Sequence, residues 1–251
     1  MWNNVRQLNL ATSALHALLV LVLLAAGGLW LIQRPNFSLR EILIEGDTDH
    51  INAPTVRANV VGHLKGNFFT VDLDAARQAF EQMPWVRRAS VRRVWPNALA
   101  VSLDEYRPLG TWGSDQLVSV DGELFTANQG ELEQSLPAFD GPDGTAQEVV
   151  ERYRDFIKWF APIGATPQEV TLSPRYAWTV KLSNGMQVEL GRERNAQTLY
   201  DRVHRLTEAW GAVTQRWGKD IEYVDLRYPN GFAIRAAGMR FITDPDKGKK
   251  S

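Results

Sequence analysis

From Ala11 to Ile32 the chain reads ATSALHALLVLVLLAAGGLWLI, 22 residues without a formal charge apart from the titratable His16. At the helical rise this run spans about 33 Å, enough for the hydrocarbon core of a bilayer. The pattern predicts a single transmembrane helix over 11–32 behind a short tail, residues 1–10. A cleaved signal peptide is the alternative, with the small residues Ala25-Ala26-Gly27-Gly28 at a possible cut. Against it, Leu29-Trp30-Leu31-Ile32 carries the apolar run past the usual signal length, and Trp30 suits a membrane interface. Arg6 lies on one side of the span and Arg34 and Arg40 on the other, so charge bias gives little orientation. The small size of the leading segment favours an N-terminus inside and the bulk of the chain outside.

Past the span the periodicity changes. Leu39–Gly46 (LREILIEG) reads as a strand, and Ala53–Leu64 has helical spacing with Val56, Val60 and Leu64 on one face. Asp72 or Asp74 can cap a helix over 74–83, which Pro84 stops. Then comes PWVRRASVRRVWP at 84–96, with four arginines, two tryptophans and no acid. Arginine interleaved with aromatics is the make-up of a nucleic-acid groove. Read with a period of two, however, Ala89 and Val91 share one face and Arg88, Ser90 and Arg92 the other. Pro96-Asn97 turns the chain, and Leu99, Val101 and Leu103 alternate against Ala100, Ser102 and Asp104. The stretch is one strand of a hairpin, its arginines on the wet side near Asp104 and Glu105. Trp85 and Trp95 flank the apolar face and are expected in the core.

A second unit follows over about 107–242. Leu117–Phe125 is a hairpin turning at Asp121-Gly122. Two amphipathic helices carry the stripes Val149, Tyr153, Phe156, Phe160 and Leu199, Val203, Leu206, Trp210, Val213, Trp217. Between them YAWTVKLSNGMQVEL is a hairpin whose apolar pattern selects the loop Ser183-Asn184-Gly185. That register pairs Leu182 with Met186, Val180 with Val188 and Trp178 with Leu190, and gives Gly185 the left-handed position. The same reasoning on VDLRYPNGFAIRA, with loop Pro229-Asn230-Gly231, pairs Tyr228 with Phe232, Leu226 with Ile234 and Asp225 with Arg235. Few residues remain after Ala236 to cover this last strand, so its edge is expected to be open for strand addition.

Composition narrows the chemistry. The chain has no cysteine, which removes disulfides, thiolate metal sites and cysteine nucleophiles and suits an oxidising compartment. The net charge of −1 conceals an acidic body: residues 41–243 hold 22 basic and 27 acidic side chains, a net of −5. Such a body repels phosphates, so no nucleic acid is expected as a partner. His16, His50, His63 and His204 are scattered, and no phosphate loop, nucleophile elbow or Ser-x-x-Lys motif appears. Neither a cofactor nor an enzymatic activity is expected, and an envelope hydrolase would lack its catalytic pair.

Strand, helix, helix, strand, strand in about seventy residues is the layout of a POTRA domain, here 37–106. The block PWVRRASVRRVWPNALAVSLDEYRP, with EGDTDHINAPTVRANV before it, LVSVDGELF after it and VDLRYPNGFAI at 224–234, resembles the FtsQ/DivIB cell-division proteins. The resemblance runs from the anchor to about residue 242. It implies an α+β fold: one N-terminal transmembrane helix, a POTRA domain, then a mixed β domain with two helices over 107–242 and a flexible tail at 243–251. It also implies a bitopic inner-membrane adaptor with a cytoplasmic N-terminus and a periplasmic bulk, concentrated at the division septum. The implied partners are FtsB, and through it FtsL, at the β domain, with FtsK, FtsW and other division proteins at the POTRA domain and membrane segment. In that family the strand pair matching 224–236 carries the FtsB contact, which implies Arg227, Tyr228, Asn230, Gly231 and Phe232, with Arg192 nearby at the start of a helix. Arg227 would offer a planar fork to a partner carboxylate, and Asn230 and Gly231 would set the turn. Tyr228 is either an interface anchor or a core residue packed on Phe232. The leading tail is short for the family. A reading of a different class, a POTRA-type periplasmic chaperone holding extended client peptides, stays open beside the adaptor.

The strand reading of 84–96 predicts that the protein does not retard duplex DNA at physiological salt. Retardation with a steep salt slope in a mobility-shift titration would restore the groove reading.

Overall fold

The computed structural model describes residues 5–32, 34, 37–46, 49–132 and 134–237. The tail expected at 243–251 and the first four residues of the leading segment lie outside them. Helix α1, Val5–Ile32, contains the apolar window Asn9–Trp30 at a mean hydropathy of 2.2. It starts ahead of the apolar run, because Asn9 and its polar neighbours extend the helix without breaking it. Leu18, Leu21 and Leu24 are exposed, as lipid-facing side chains must be. The chain divides into two compact units, Met1–Tyr106 and Arg107–Ser251.

In the first unit, strands β1 (Glu41–Gly46), β2 (Val86–Val94) and β3 (Ala98–Glu105) form a sheet of order β1-β3-β2. Strand β3 is central, with Val101 opposite Ile44 in the parallel pairing and opposite Val91 in the antiparallel one. Helix α2 (Ala53–Asn59) starts where Asn52 Oδ1 accepts the Thr55 N–H at 3.0 Å. It is shorter than the spacing predicts, since a 3-10 turn at Val61–His63 takes over after Val60. The turn still delivers Val56 and Val60 into the core and Leu64 against it. Asp72, rather than Asp74, caps α3 (Leu73–Glu81), accepting the N–H groups of Asp74 and Ala75 at 2.9 and 3.0 Å.

The arginine strand alternates as expected: Ala89 is buried and Val91 packs on the core, while Arg88, Ser90 and Arg92 are exposed. Arg88 stands opposite Asp104 as expected, whereas Arg92 and Arg93 find other partners. Arg92 bridges the sheet to Glu45 of β1 at 3.0 Å, and Arg93 donates to the carbonyls of Phe68 and Val71 at 2.7 and 2.8 Å. Ala100, opposite Arg92 on the supposedly wet face, is only 1% exposed. Glu105 is buried, with its Oε2 3.0 Å from His50 Nδ1, and the His50 ring stacks on Trp85. Trp85 is thus core, but Trp95 is 66% exposed, which corrects the expectation for that residue.

Among the described residues the second unit is a nine-stranded mixed sheet carrying two long helices. Its strands are β4 (Pro108–Trp112), β5 (Gln116–Ser119), β6 (Leu124–Phe125), β7 (Ala138–Asp140), β8 (Pro167–Leu172), β9 (Ala177–Leu182), β10 (Gln187–Arg192), β11 (Ile221–Asp225) and β12 (Ala233–Ala236). They are ordered β12-β11-β10-β9-β8-β7-β4-β5-β6. Helices α4 (Ala146–Phe160) and α5 (Thr198–Trp217) bury Val149, Phe156, Phe160, Leu199, Val203 and Leu206 against Trp178, Val180, Leu182 and Val188. Trp210 and Val213 continue the α5 stripe against that core as half-buried residues, and its last member, Trp217, is exposed. On the opposite face Lys181 pairs with Glu169 and Thr179 with Glu189, so this sheet has one covered and one wet side.

Val101→Asp should abolish the cooperative melting of the first unit, because it puts an unpaired charge at a site with no exposure. Val91→Asp, at a half-buried position, should cost less. Asp72→Ala should lower that unit's stability by about 1 kcal/mol through loss of the cap. Circular dichroism melts of the three variants check the ranking.

Candidate partner-binding site

The hairpin 183–185 forms in the derived register. Leu182 N–H donates to Met186 O, Val180 faces Val188, and Gly185 has φ +83°. Beyond Glu189 the register slips by one residue, so Trp178 faces Gly191 instead of Leu190. Gly191 has φ +75°, and a Cβ there would lie 2.8 Å from Arg227 Cγ. Both facts require glycine, and the blocking side chain comes from the segment that follows the strand beside it.

That strand is β11, which pairs in parallel with β10 (Val188 with Val224), and Leu226 N–H extends the ladder to Glu189 O at 2.9 Å. Its antiparallel partner β12 is the terminal strand of the sheet among the described residues. The pairing there differs from the sequence-derived register by two residues: Val224 faces Ile234, Asp225 faces Ala233, and Tyr223 faces Arg235. Leu226 through Phe232 therefore form one longer loop. Arg235 instead meets Glu222 at 3.4 Å and lies over the Tyr223 ring.

Asp225 is responsible for the difference. Its Oδ1 accepts the Arg227 N–H at 3.0 Å and Nε–H at 2.8 Å, while Oδ2 accepts from Nη2 at 2.7 Å. This forked pair curls the chain out of the strand immediately after Leu226, whose side chain is fully buried. The Arg227 fork is thus engaged within its own chain. The hydrogen bonds hold the Asp225 carboxyl below the usual carboxylate range against the opposing effect of burial. The same contact raises the Arg227 guanidinium, which stays charged at any accessible pH.

Helix α5 fixes the rest of the loop. Arg205 donates to the carbonyls of Tyr228 and Gly231 at 3.1 and 3.3 Å, and Arg202 donates to the carbonyls of Leu190 and Arg192. Burial and then the neighbouring Arg194 and Arg205 push the Arg202 guanidinium down, with Asp225 opposing. The loop surroundings are therefore locally cationic on an acidic chain.

Of the six residues singled out from the sequence, five lie on this one loop. Tyr228 is 55% exposed, which places its ring on the surface, outside the core. Asn230 is exposed, and Gly231 and Phe232 are half-buried, with Phe232 packed on the core. Arg192 ends strand β10 and does not begin a helix. The supporting residues Arg202, Arg205 and Asp225 carry functions the sequence reading did not give them. Their one visible signal is the pair Arg202/Arg205, set off the Leu199-Val203-Leu206 stripe of α5.

Comparison with known proteins accounts for both units. Residues 37–106 match the family described as POTRA domain, FtsQ-type, and residues 110–227 match Cell division protein FtsQ/DivIB, C-terminal. The chain is 82% identical over 250 residues to the cell division protein FtsQ of Burkholderia pseudomallei, covering all of both chains. The chain belongs to the FtsQ/DivIB family. It is 45% identical to FtsQ of Bordetella pertussis, over 95% of this chain and 94% of that one. To FtsQ of Neisseria gonorrhoeae it is 30% identical, over 94% and 96%. The C-terminal FtsQ/DivIB match ends at Arg227, so Tyr228 and β12 lie beyond it.

Two outcomes are expected of the lock. Gly191→Ala should destabilise the second unit by more than 1 kcal/mol, since it meets both the positive φ and the Arg227 stem. Because Asp225 is depressed in the folded state, its contribution is present above the ordinary carboxylate value and lost as pH falls through the folded one. Asp225→Asn should flatten that acid-side slope in melts between about pH 5 and 2.

Proposed function

We propose that this protein is a divisome adaptor, a single-pass inner-membrane protein whose N-terminus is cytoplasmic and whose two folded units act in the periplasm at the septum. On this reading the second unit captures FtsB, and through it FtsL, by adding a strand of the partner to β12. The first unit and the membrane helix serve contacts with FtsK, FtsW and other division proteins. No catalytic step is assigned to it.

The observation that carries the proposal is the end of the sheet. Strand β12 is terminal among the described residues, and its neighbouring loop presents the exposed Tyr228 from a backbone held by Asp225–Arg227 and Arg205. A preorganised loop loses little freedom on binding, and tyrosine supplies contact area at low entropic cost. The cationic surroundings favour a partner segment that brings carboxylates beside its apolar residues. Arg227 contributes mainly by shaping the loop, since its fork already holds Asp225.

The test is crosslinked capture of FtsB by the full chain in envelope preparations. Tyr228→Ala should keep the melting temperature within a few degrees while lowering FtsB recovery at least about tenfold, the size of a single anchor residue. Arg227→Glu should weaken capture less directly, by releasing Asp225 and reshaping the loop. Full recovery by both folded variants would remove this loop from the interface. A fluorescent fusion spread evenly around the envelope, without a midcell ring, would favour the chaperone reading.

A further inference from the structure

The first unit carries a second exposed apolar feature, far in sequence from the partner edge. Three segments meet at one end of its sheet: Phe37 ahead of β1, Phe68 and Phe69 in the loop before α3, and Trp95 at the β2–β3 turn. Ring centroids lie 5.0 Å apart for Phe37 and Phe69, 5.7 Å for Phe37 and Trp95, and 5.6 Å for Phe68 and Trp95. Phe68 is buried and acts as the floor, while Phe69 is 43% and Trp95 66% exposed.

The cluster is built rather than incidental. Phe68 N–H donates to Phe37 O at 2.8 Å, and Arg40 N–H donates to Asn97 O at 3.0 Å. Arg93 ties Phe68 O and Val71 O to the β2 strand, and Asn67 Oδ1 accepts the N–H groups of Phe69 and Thr70. Backbone is thus pinned on all three segments, yet the two outermost rings have water on one side. Exposing a tryptophan and a phenylalanine side by side on a rigid loop end costs solubility and needs a use.

Chain connectivity says what lies next to it. Phe37 is five residues after Ile32, the last residue of α1, so the two Cα atoms cannot be more than about 18 Å apart. Wherever the helix crosses a bilayer, this cluster is held at that bilayer's surface. The end of α1 already has the make-up of an interface: Arg34 lies 3.5 Å over the ring of Trp30. The exposed cations nearest the cluster in sequence are Arg34, Arg40, Lys65, Arg92 and Arg93, Arg92 being paired with Glu45 and Arg93 bonded to the Phe68 and Val71 carbonyls, and the nearest acids in sequence are Glu41 and Asp72, the latter spent as the α3 cap. Aromatic rings with a basic rim match the boundary between acyl chains and headgroups.

We propose that Phe37, Phe69 and Trp95 form a membrane-docking patch that seats the first unit on the lipid surface, with Phe69 and Trp95 inserted at headgroup depth. Docking sets the direction of the sheet. Strands β1 and β3 both run away from the aromatic end, so β3 carries the chain about 23 Å from the bilayer before the second unit begins. The patch thereby gives the first unit a defined stand-off.

The chain contains no cysteine, so single labels can be placed cleanly. The full chain, reconstituted in phosphatidylcholine nanodiscs, carries an environment-sensitive fluorophore at Lys65→Cys beside the patch or at Asp104→Cys, exposed near the far end of β3. Lipids brominated on the acyl chain should quench the label at 65 about threefold more than the label at 104, with a blue-shifted emission at 65 only. Adding Phe69→Ser and Trp95→Ser should bring the label at 65 down to the level at 104 while the melting temperature is kept. Equal quenching at 65 and 104 in the otherwise unaltered chain overturns the proposal, whatever the double variant does. So does a folded double variant that is quenched as strongly as the parent. Either result would point to a protein, instead of lipid, over these rings.

Discussion

A backbone amide removed from water needs a partner, and the chain meets that requirement differently in each of its parts. In the apolar segment the only local solution is the helix, because hydrocarbon offers neither donor nor acceptor. In the first unit the central strand β3 has a neighbour on each side, so the sheet closes around one fully paired strand. In the second unit, among the described residues, the requirement is met strand by strand across nine members and then stops at β12. The place where the pairing stops is the place where another chain can continue it.

The size of that opportunity can be bounded. A four-residue edge strand presents about four outward backbone groups, and each new hydrogen bond is worth about 1 kcal/mol net. About 4 kcal/mol corresponds to millimolar affinity, whereas micromolar binding needs about 8. Strand addition alone is therefore too weak for capture from solution. The loop before β12 matters for this reason: Tyr228 is exposed beside the edge, and an aromatic anchor can supply a comparable amount. The shortness of β12 and the irregular pairing near Ile221 also protect the sheet from indiscriminate edge contacts. The opposite edge, β6, has only two residues and offers still less.

What the sequence disclosed follows from how local each determinant is. The hairpin at Ser183-Asn184-Gly185 was legible because alternation on both strands and one glycine select a single register. The last hairpin looked equally clear and was misread by two residues. Its loop is set by Asp225 turning forward onto Arg227 and by Arg205 reaching in from α5, and neither contact leaves a mark in the alternation. The slip at Gly191 has the same origin, since the stem of Arg227 occupies the space a side chain would need. The pattern points Trp95 into the core because its neighbours on the apolar face are there. It sits past the end of β2, where the alternation no longer says which way a ring points. Arg92 is legible as a solvent-side residue while Arg93 shares the parity of Ala89 and Val91, and their partners Glu45, Phe68 and Val71 belong to segments the strand pattern does not order.

Membrane attachment changes the affinity that an interface needs. Two proteins held on one bilayer surface meet at effective concentrations of the order of millimolar, where the edge-strand contribution alone approaches half-occupancy. On the proposed reading the side chains at 227–232 then need not supply most of the binding energy, and their task becomes choice of partner. A rigid loop in cationic surroundings discriminates well, because a partner lacking carboxylates or a cavity for Tyr228 loses the surplus while still paying for alignment.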